Sequence, residues 1–218
     1  MRRALLLACV LLPGLALAAA KPHVVAFGKW LPVRLFVGAN ENSSVELKVR
    51  PLYVDGRVKE FTLGDPHEVT DRLLVVRRAF RVNDSLPARK PPEWKWQRGG
   101  WLLVDRATGR VAPVALPDFD PYYSVASWYR DYAAYCGLSD DGERLYAIVA
   151  QLGRRRAIVR KPLGAPKADE APDSECAAPE WQRQPVRVTF APAAGPKITF
   201  AVRGHAADIA EDDDEPPQ

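Results

Sequence analysis

Apolar and charged residues alternate along Val45-Glu46-Leu47-Lys48-Val49-Arg50, the pattern of a strand with one buried and one solvated face. Leu52-Tyr53-Val54 prolongs the run, and Asp55-Gly56 follows it. Both positions of that pair tolerate positive φ, so residues 45–63 are predicted to form a hairpin. Gly64-Asp65-Pro66-His67 is predicted to end it. Residues 72–82 read as the next strand. Trp101-Leu102-Leu103-Val104-Asp105 and Arg110-Val111-Ala112-Pro113-Val114 flank Arg106-Ala107-Thr108-Gly109 and predict a second hairpin. Upstream, residues 23–27 and 33–37 are short β-branched and aromatic runs. Downstream, residues 132–138, 144–151 and 156–161 read as strands joined by turns at Ser139-Asp140-Asp141-Gly142 and Gly153-Arg154. Residues 186–190 and 197–202 supply two more.

Three stretches depart from this habit. Pro87, Pro91 and Pro92 predict an irregular segment over 84–100, which puts Trp94 and Trp96 on a loop beside Lys90, Lys95 and Arg98. Asp120-Pro121 has the form of a helix start, an acceptor followed by a proline whose missing N–H costs nothing there. Val125, Trp128, Tyr129 and Tyr132 follow at helical spacing, so a short helix is expected over 121–130. Residues 162–184, rich in Pro, Ala and Glu, read as a long loop. The fold class expected is mostly β, with antiparallel hairpins forming a β-sandwich or propeller-like sheet and that one short helix.

The N-terminus changes the setting. Arg2-Arg3, an apolar run over 4–17 and the small residues Ala18-Ala19-Ala20 have the form of a secretory signal peptide, residues 1–20. Leu6-Leu7-Ala8-Cys9 resembles a lipoprotein box, but the apolar stretch before Cys9 is too short for one. The expectation is one mostly-β domain over 21–204 in the periplasm or outside the cell, a disordered acidic tail over 205–218, and no transmembrane segment after signal cleavage. Cys136 and Cys176 are then the remaining cysteines. An even pair in an oxidising compartment is expected to form a disulfide.

Of 31 basic and 27 acidic residues, Arg2 and Arg3 lie in the signal and five acids lie at 211–215, so the remainder holds 29 basic against 22 acidic residues. A basic body of this kind fits an anionic partner, though solubility alone explains it more simply. His23, His67 and His205 form no metal-binding pattern, and no cofactor motif is present. Ser139 lacks the Gly two residues later that a nucleophile elbow requires. Three acids beside aromatics, Asp118, Asp120 and Asp131, leave a hydrolase as the alternative. The leading expectation is a non-enzymatic binding module of the cell envelope. Trp94, Trp96, Arg98 and Trp101 are its proposed contacts, because flat rings beside cations stack on sugars or on a partner's side chains. An envelope glycan or protein is expected in preference to nucleic acid. The aromatics at Tyr122, Tyr123, Trp128, Tyr129, Tyr132 and Tyr135 are read as packing rather than ligand contacts.

Residues 103–111, Leu-Val-Asp-Arg-Ala-Thr-Gly-Arg-Val, resemble the outer hairpin of a β-propeller blade. Residues 137–147, Gly-Leu-Ser-Asp-Asp-Gly-Glu-Arg-Leu-Tyr-Ala, resemble the turn between inner blade strands in TolB-like and WD-type propellers. The resemblance covers about a quarter of the chain after the signal and implies one blade. Blades of about 40–45 residues would allow four at most. As a whole the chain is similar to uncharacterised exported bacterial proteins, a resemblance that implies no activity.

Overall fold

The computed structural model describes residues 22–36, 44–83, 94–166, 176–193, 195–204 and 206–209. These residues form three sheets and contain no helix. β1 (Val25–Phe27), β2 (Leu31–Phe36), β3 (Ser44–Val54), β4 (Arg57–Glu68), β5 (Leu73–Asn83), β6 (Trp94–Asp105) and β7 (Arg110–Pro113) make the first. β8 (Ser127–Tyr129), β9 (Tyr132–Leu138), β10 (Leu145–Gln151) and β11 (Val159–Gly164) make the second. β12 (Glu180–Arg183), β13 (Val186–Phe190), β14 (Ile198–Arg203) and β15 (Ala206–Ile209) make the third.

In the first sheet the pairings close on themselves. β2, β3, β4, β5 and β6 pair antiparallel in succession except that β6 meets β2 in parallel, at Leu35 opposite Trp96. An odd number of strands in an up-and-down order can close only through one parallel pair. The β3–β4 turn has the predicted chemistry, with φ of 51° at Asp55 and 75° at Gly56, the left-handed pair that matches strand twist. At the other end of β4 and β5, paired charges lace neighbouring strands together. Arg72 donates to both carboxylate oxygens of Asp105, at 2.7 and 2.5 Å, and Arg106 to both of Glu68, at 2.6 and 2.7 Å. These hydrogen bonds hold both carboxyls below their usual range.

The second sheet is the middle layer. Ala133–Gly137 of β9 and Leu145–Ala150 of β10 are buried at every position, as expected for strands covered on both faces. Side chains alternate between two cores. Ala134, Cys136, Ala147 and Val149 pack with Val188, Phe190, Phe200 and Val202 of the third sheet. Ala133, Tyr135, Ile148 and Ala150 pack with Leu116, Phe119, Ala126 and Trp128. Tyr135 is fully buried and its hydroxyl donates to the Pro117 carbonyl at 2.6 Å. Burial raises its pKa far above the ordinary phenol. The disulfide Cys136–Cys176 lies in the first of these cores, both cysteines buried.

Several expectations are corrected. The helix over 121–130 is absent. Asp120 does cap, its Oδ1 accepting from the backbone N–H groups of Tyr122 and Tyr123 at 2.7 and 3.0 Å. One helical turn forms, closed by the Ser124 N–H on the Asp120 carbonyl at 2.8 Å, and the Ser124 hydroxyl accepts from Asp120 N–H and donates to the Cys136 carbonyl, tying the turn to β9. By Ser127 the chain is pairing in β8. Trp94–Gly100, read as irregular, is the first half of β6, because the prolines that forbid pairing all lie before it. Gly64–His67 is a bulge within β4 rather than its end. Glu180–Arg183, read as loop, pairs with β13, anchored by Trp181 stacked on Tyr129 at 5.5 Å. Past Gly204, where disorder was expected, β15 pairs with β14. The two blade-like hairpins fall in different sheets, so they do not form one blade. The signal sequence and residues 210–218 lie outside the described residues.

Candidate functional site

β3 and β4 pair from the Asp55-Gly56 turn as far as Val49 opposite Leu63, and then part. Gly64 takes φ of 63°, a left-handed conformation that glycine adopts without strain. β4 swings away to resume pairing with β5 at His67. Arg50 holds the departing strand. Its guanidinium lies 4.5 Å from the Phe27 ring and 4.2 Å from the Trp30 ring, and Nη2 reaches the Gly64 carbonyl at 3.4 Å and Asp65 Oδ1 at 3.3 Å.

The parting leaves an open groove of about 700 Å³. Its β3 wall is Glu46, Leu47 and Lys48. Leu63, Gly64 and Asp65 face them from β4. The floor continues through Arg77 and Trp101, and Ser124, Val125 and Ala126 close the far side. Arg77 fixes that side to the first sheet. It donates to the carbonyls of Gly99 at 2.7 Å, Ser124 at 3.2 Å and Pro121 at 2.5 Å, and its guanidinium lies 4.9 Å from the Phe119 ring. Trp101 packs edge-on against Trp128 at 5.3 Å, and Trp128 stacks on His67 at 6.0 Å. His67 Nε2–H donates to the Arg130 carbonyl at 2.8 Å, so this wall too is tied to the second sheet.

The four predicted contacts separate into two pairs. Arg98 and Trp101 line the groove. They share a face despite odd spacing because β6 carries an extra residue at Gly99-Gly100: Ala79 faces Arg98 while Arg77 faces Trp101. Trp94 and Trp96 lie further along β6, toward its start. The Arg81 guanidinium lies 5.7 and 5.4 Å from their rings, and Phe61 packs edge-on against Trp96 at 5.2 Å. Trp94 alone among them is largely exposed, at 56%. Sequence reading missed Trp30, Leu47, Leu63 and Val125. The signal was available at Gly64 and Gly99-Gly100, glycines inside strand patterns that mark bulges.

The carboxylates of the alternative reading have structural partners. Asp118 accepts from Arg160 Nε at 2.7 Å, Asp120 caps its turn, and Asp131 accepts from Gln151 Nε2 at 2.7 Å. None of the three lines the groove or the smaller cavity of about 380 Å³ around His23, Asp55, Arg57 and Lys59. In that cavity His23 Nδ1 lies 2.6 Å from Asp55 Oδ2, a contact that lowers the Asp55 pKa. Among the described residues no three His, Cys, Asp or Glu side chains are grouped to hold a metal ion. Of the central aromatics, Tyr122 is exposed, whereas Tyr123 and Tyr132 lie against the core between the second and third sheets, and the Tyr132 hydroxyl donates to the Gly204 carbonyl at 2.6 Å. No family model, curated protein or solved structure matches the chain.

Proposed function

We propose that the chain is a non-enzymatic binding module of the cell envelope, exported to the periplasm or beyond, and that its ligand lies in the groove between β3 and β4. The observation that carries this reading is the groove's lining. Leu47, Leu63, Trp101 and Val125 make an apolar surface beside the cation of Arg98, the mixture of apolar walls and few polar groups typical of ligand sites. Export rests on the signal-like N-terminus, and a buried disulfide is in keeping with an oxidising compartment. We read the second and third sheets as a β-sandwich that supports the groove's far wall. The hydrolase alternative draws no support from Asp118, Asp120 and Asp131, each engaged away from the groove.

Leu63→Arg places a charge on the groove floor without touching the turn at Asp55-Gly56. Immobilised wild-type protein is expected to retain envelope components from a detergent-solubilised envelope fraction, and Leu63→Arg is expected to lose them at an unchanged circular-dichroism spectrum. Trp94→Ala is expected to retain them. Loss with Trp94→Ala and retention with Leu63→Arg would move the site to the β5–β6 tip and contradict the proposal.

A further inference from the structure

One wall of the groove is a strand edge that no other described strand pairs with. Ser44–Lys48 of β3 pairs with β2 on one side, from Pro32 opposite Lys48 to Phe36 opposite Ser44. On the other side the pairing with β4 begins only at Val49, and among the described residues no strand pairs with Ser44–Lys48 there.

The prolines show which backbone groups face the gap. Pro32 and Pro51 carry no N–H. The ladder must place them where none is needed, so β2 bonds to β3 through Val45, Leu47 and Val49, and β4 bonds to β3 through Arg50. Two bonds agree: Gly28 N–H donates to the Pro51 carbonyl, on the β1 side, and the Thr62 hydroxyl donates to the Arg50 carbonyl, on the β4 side. By alternation the N–H and C=O groups of Ser44, Glu46 and Lys48 point into the groove. These five residues span about 13 Å of extended chain.

We propose that the groove binds an extended polypeptide segment, which adds to β3 as a strand beside Ser44–Lys48. This rests on the groove being the ligand site and names the ligand's class. Backbone donors and acceptors spaced along an edge are matched by another backbone, whereas a glycan needs open ring faces. Here each lining ring already has a neighbour: Arg50 lies over Trp30, and Trp128 packs edge-on with Trp101. The walls specify side chains as well. Leu47, Leu63, Trp101 and Val125 meet one face of the added strand, and the charges on that side are the cations Arg77 and Arg98. The two lining carboxylates lie on the opposite side: Glu46 shares its face of β3 with Lys48 and Arg50, and Asp65 binds Arg50. The segment therefore carries apolar residues at alternate positions, with an acidic residue facing Arg98. The chain's own 211–215 run is acidic throughout and lacks the apolar alternation.

The test uses the whole secreted chain and an array of synthetic hexapeptides alternating Val and Thr, with one Glu moved through each position. Each peptide has a counterpart with alternate amides N-methylated. Binding is expected for one Glu register, about tenfold weaker on N-methylation in one of the two phases only. Glu46→Pro, which removes a groove-facing N–H, is expected to bind about tenfold more weakly than Glu46→Ala, which removes the same side chain and keeps the N–H. Equal binding of methylated and unmethylated peptides, or equal effects of the two substitutions, would overturn strand addition. A dimer that Glu46→Pro dissolves would make the occupant a second copy and overturn it also. If no peptide binds while Leu63→Arg still abolishes envelope capture, the groove stands as the site and the extended polypeptide falls.

Discussion

Replacing Cys136 and Cys176 together with Ala is expected to lower the unfolding free energy by about 4 kcal/mol. The bridge closes a loop across a sequence separation of 40 residues, and the chain-entropy cost it removes from the unfolded state is about that size. For a chain of this length the melting temperature should fall by about 8–16 °C. Both sulfurs lie in the core shared by Val188, Phe190, Phe200 and Val202. The loss is therefore expected to loosen the third sheet on the second, and with it the Trp181–Tyr129 stack. Chemical denaturation of the double variant against the oxidised parent measures the effect. A change below about 1 kcal/mol would mean that the link between the sheets is held by packing alone.

Arg77→Met is expected to cost about 3 kcal/mol, or about 6–12 °C in melting temperature. Methionine keeps much of the side-chain volume and removes the charge. The carbonyls of Gly99, Pro121 and Ser124 then lose a common donor in a part-buried site, and leaving buried acceptors unmade is more costly than the bond itself is worth. Because Arg77 joins the groove floor to its far wall, the variant should also expose the 121–126 segment. Thermal unfolding paired with limited proteolysis reads both effects. A variant as stable as the parent and cut no faster would contradict the role assigned to this guanidinium.

The parts of the fold legible in the sequence are those set by local chemistry. Asp55-Gly56 makes its hairpin because two adjacent residues must take positive φ. The 106–109 and 139–142 turns and the alternation in 45–50 belong to the same class. The pairing of Cys136 with Cys176 followed from counting. What escaped is non-local. Asp120 forms its cap as predicted, yet a cap does not propagate a helix when the chain is drawn into strand pairing with β9 by Ser127. Trp181 anchors a strand through Tyr129, a partner about 50 residues away, while its neighbours give no β pattern. The site was half visible. Arg98 and Trp101 were singled out for their chemistry, but their common face depends on the Gly99-Gly100 bulge. Leu47 and Leu63 read as ordinary hairpin core, and only the parting of β3 from β4 brings them to a groove. Trp94 and Trp96, the more conspicuous residues, lie along the strand from it.

The central claim is that β3 is paired on one side only between Ser44 and Lys48, with its free edge in the groove. Amide hydrogen exchange resolved by NMR on the ligand-free protein tests it residue by residue. The N–H groups of Val45 and Leu47, bonded to β2, should exchange at least about tenfold more slowly than those of Glu46 and Lys48, which face the groove. Equal protection at all four positions, or the reverse alternation, would show that this edge is already covered and would remove the basis for a strand-binding groove.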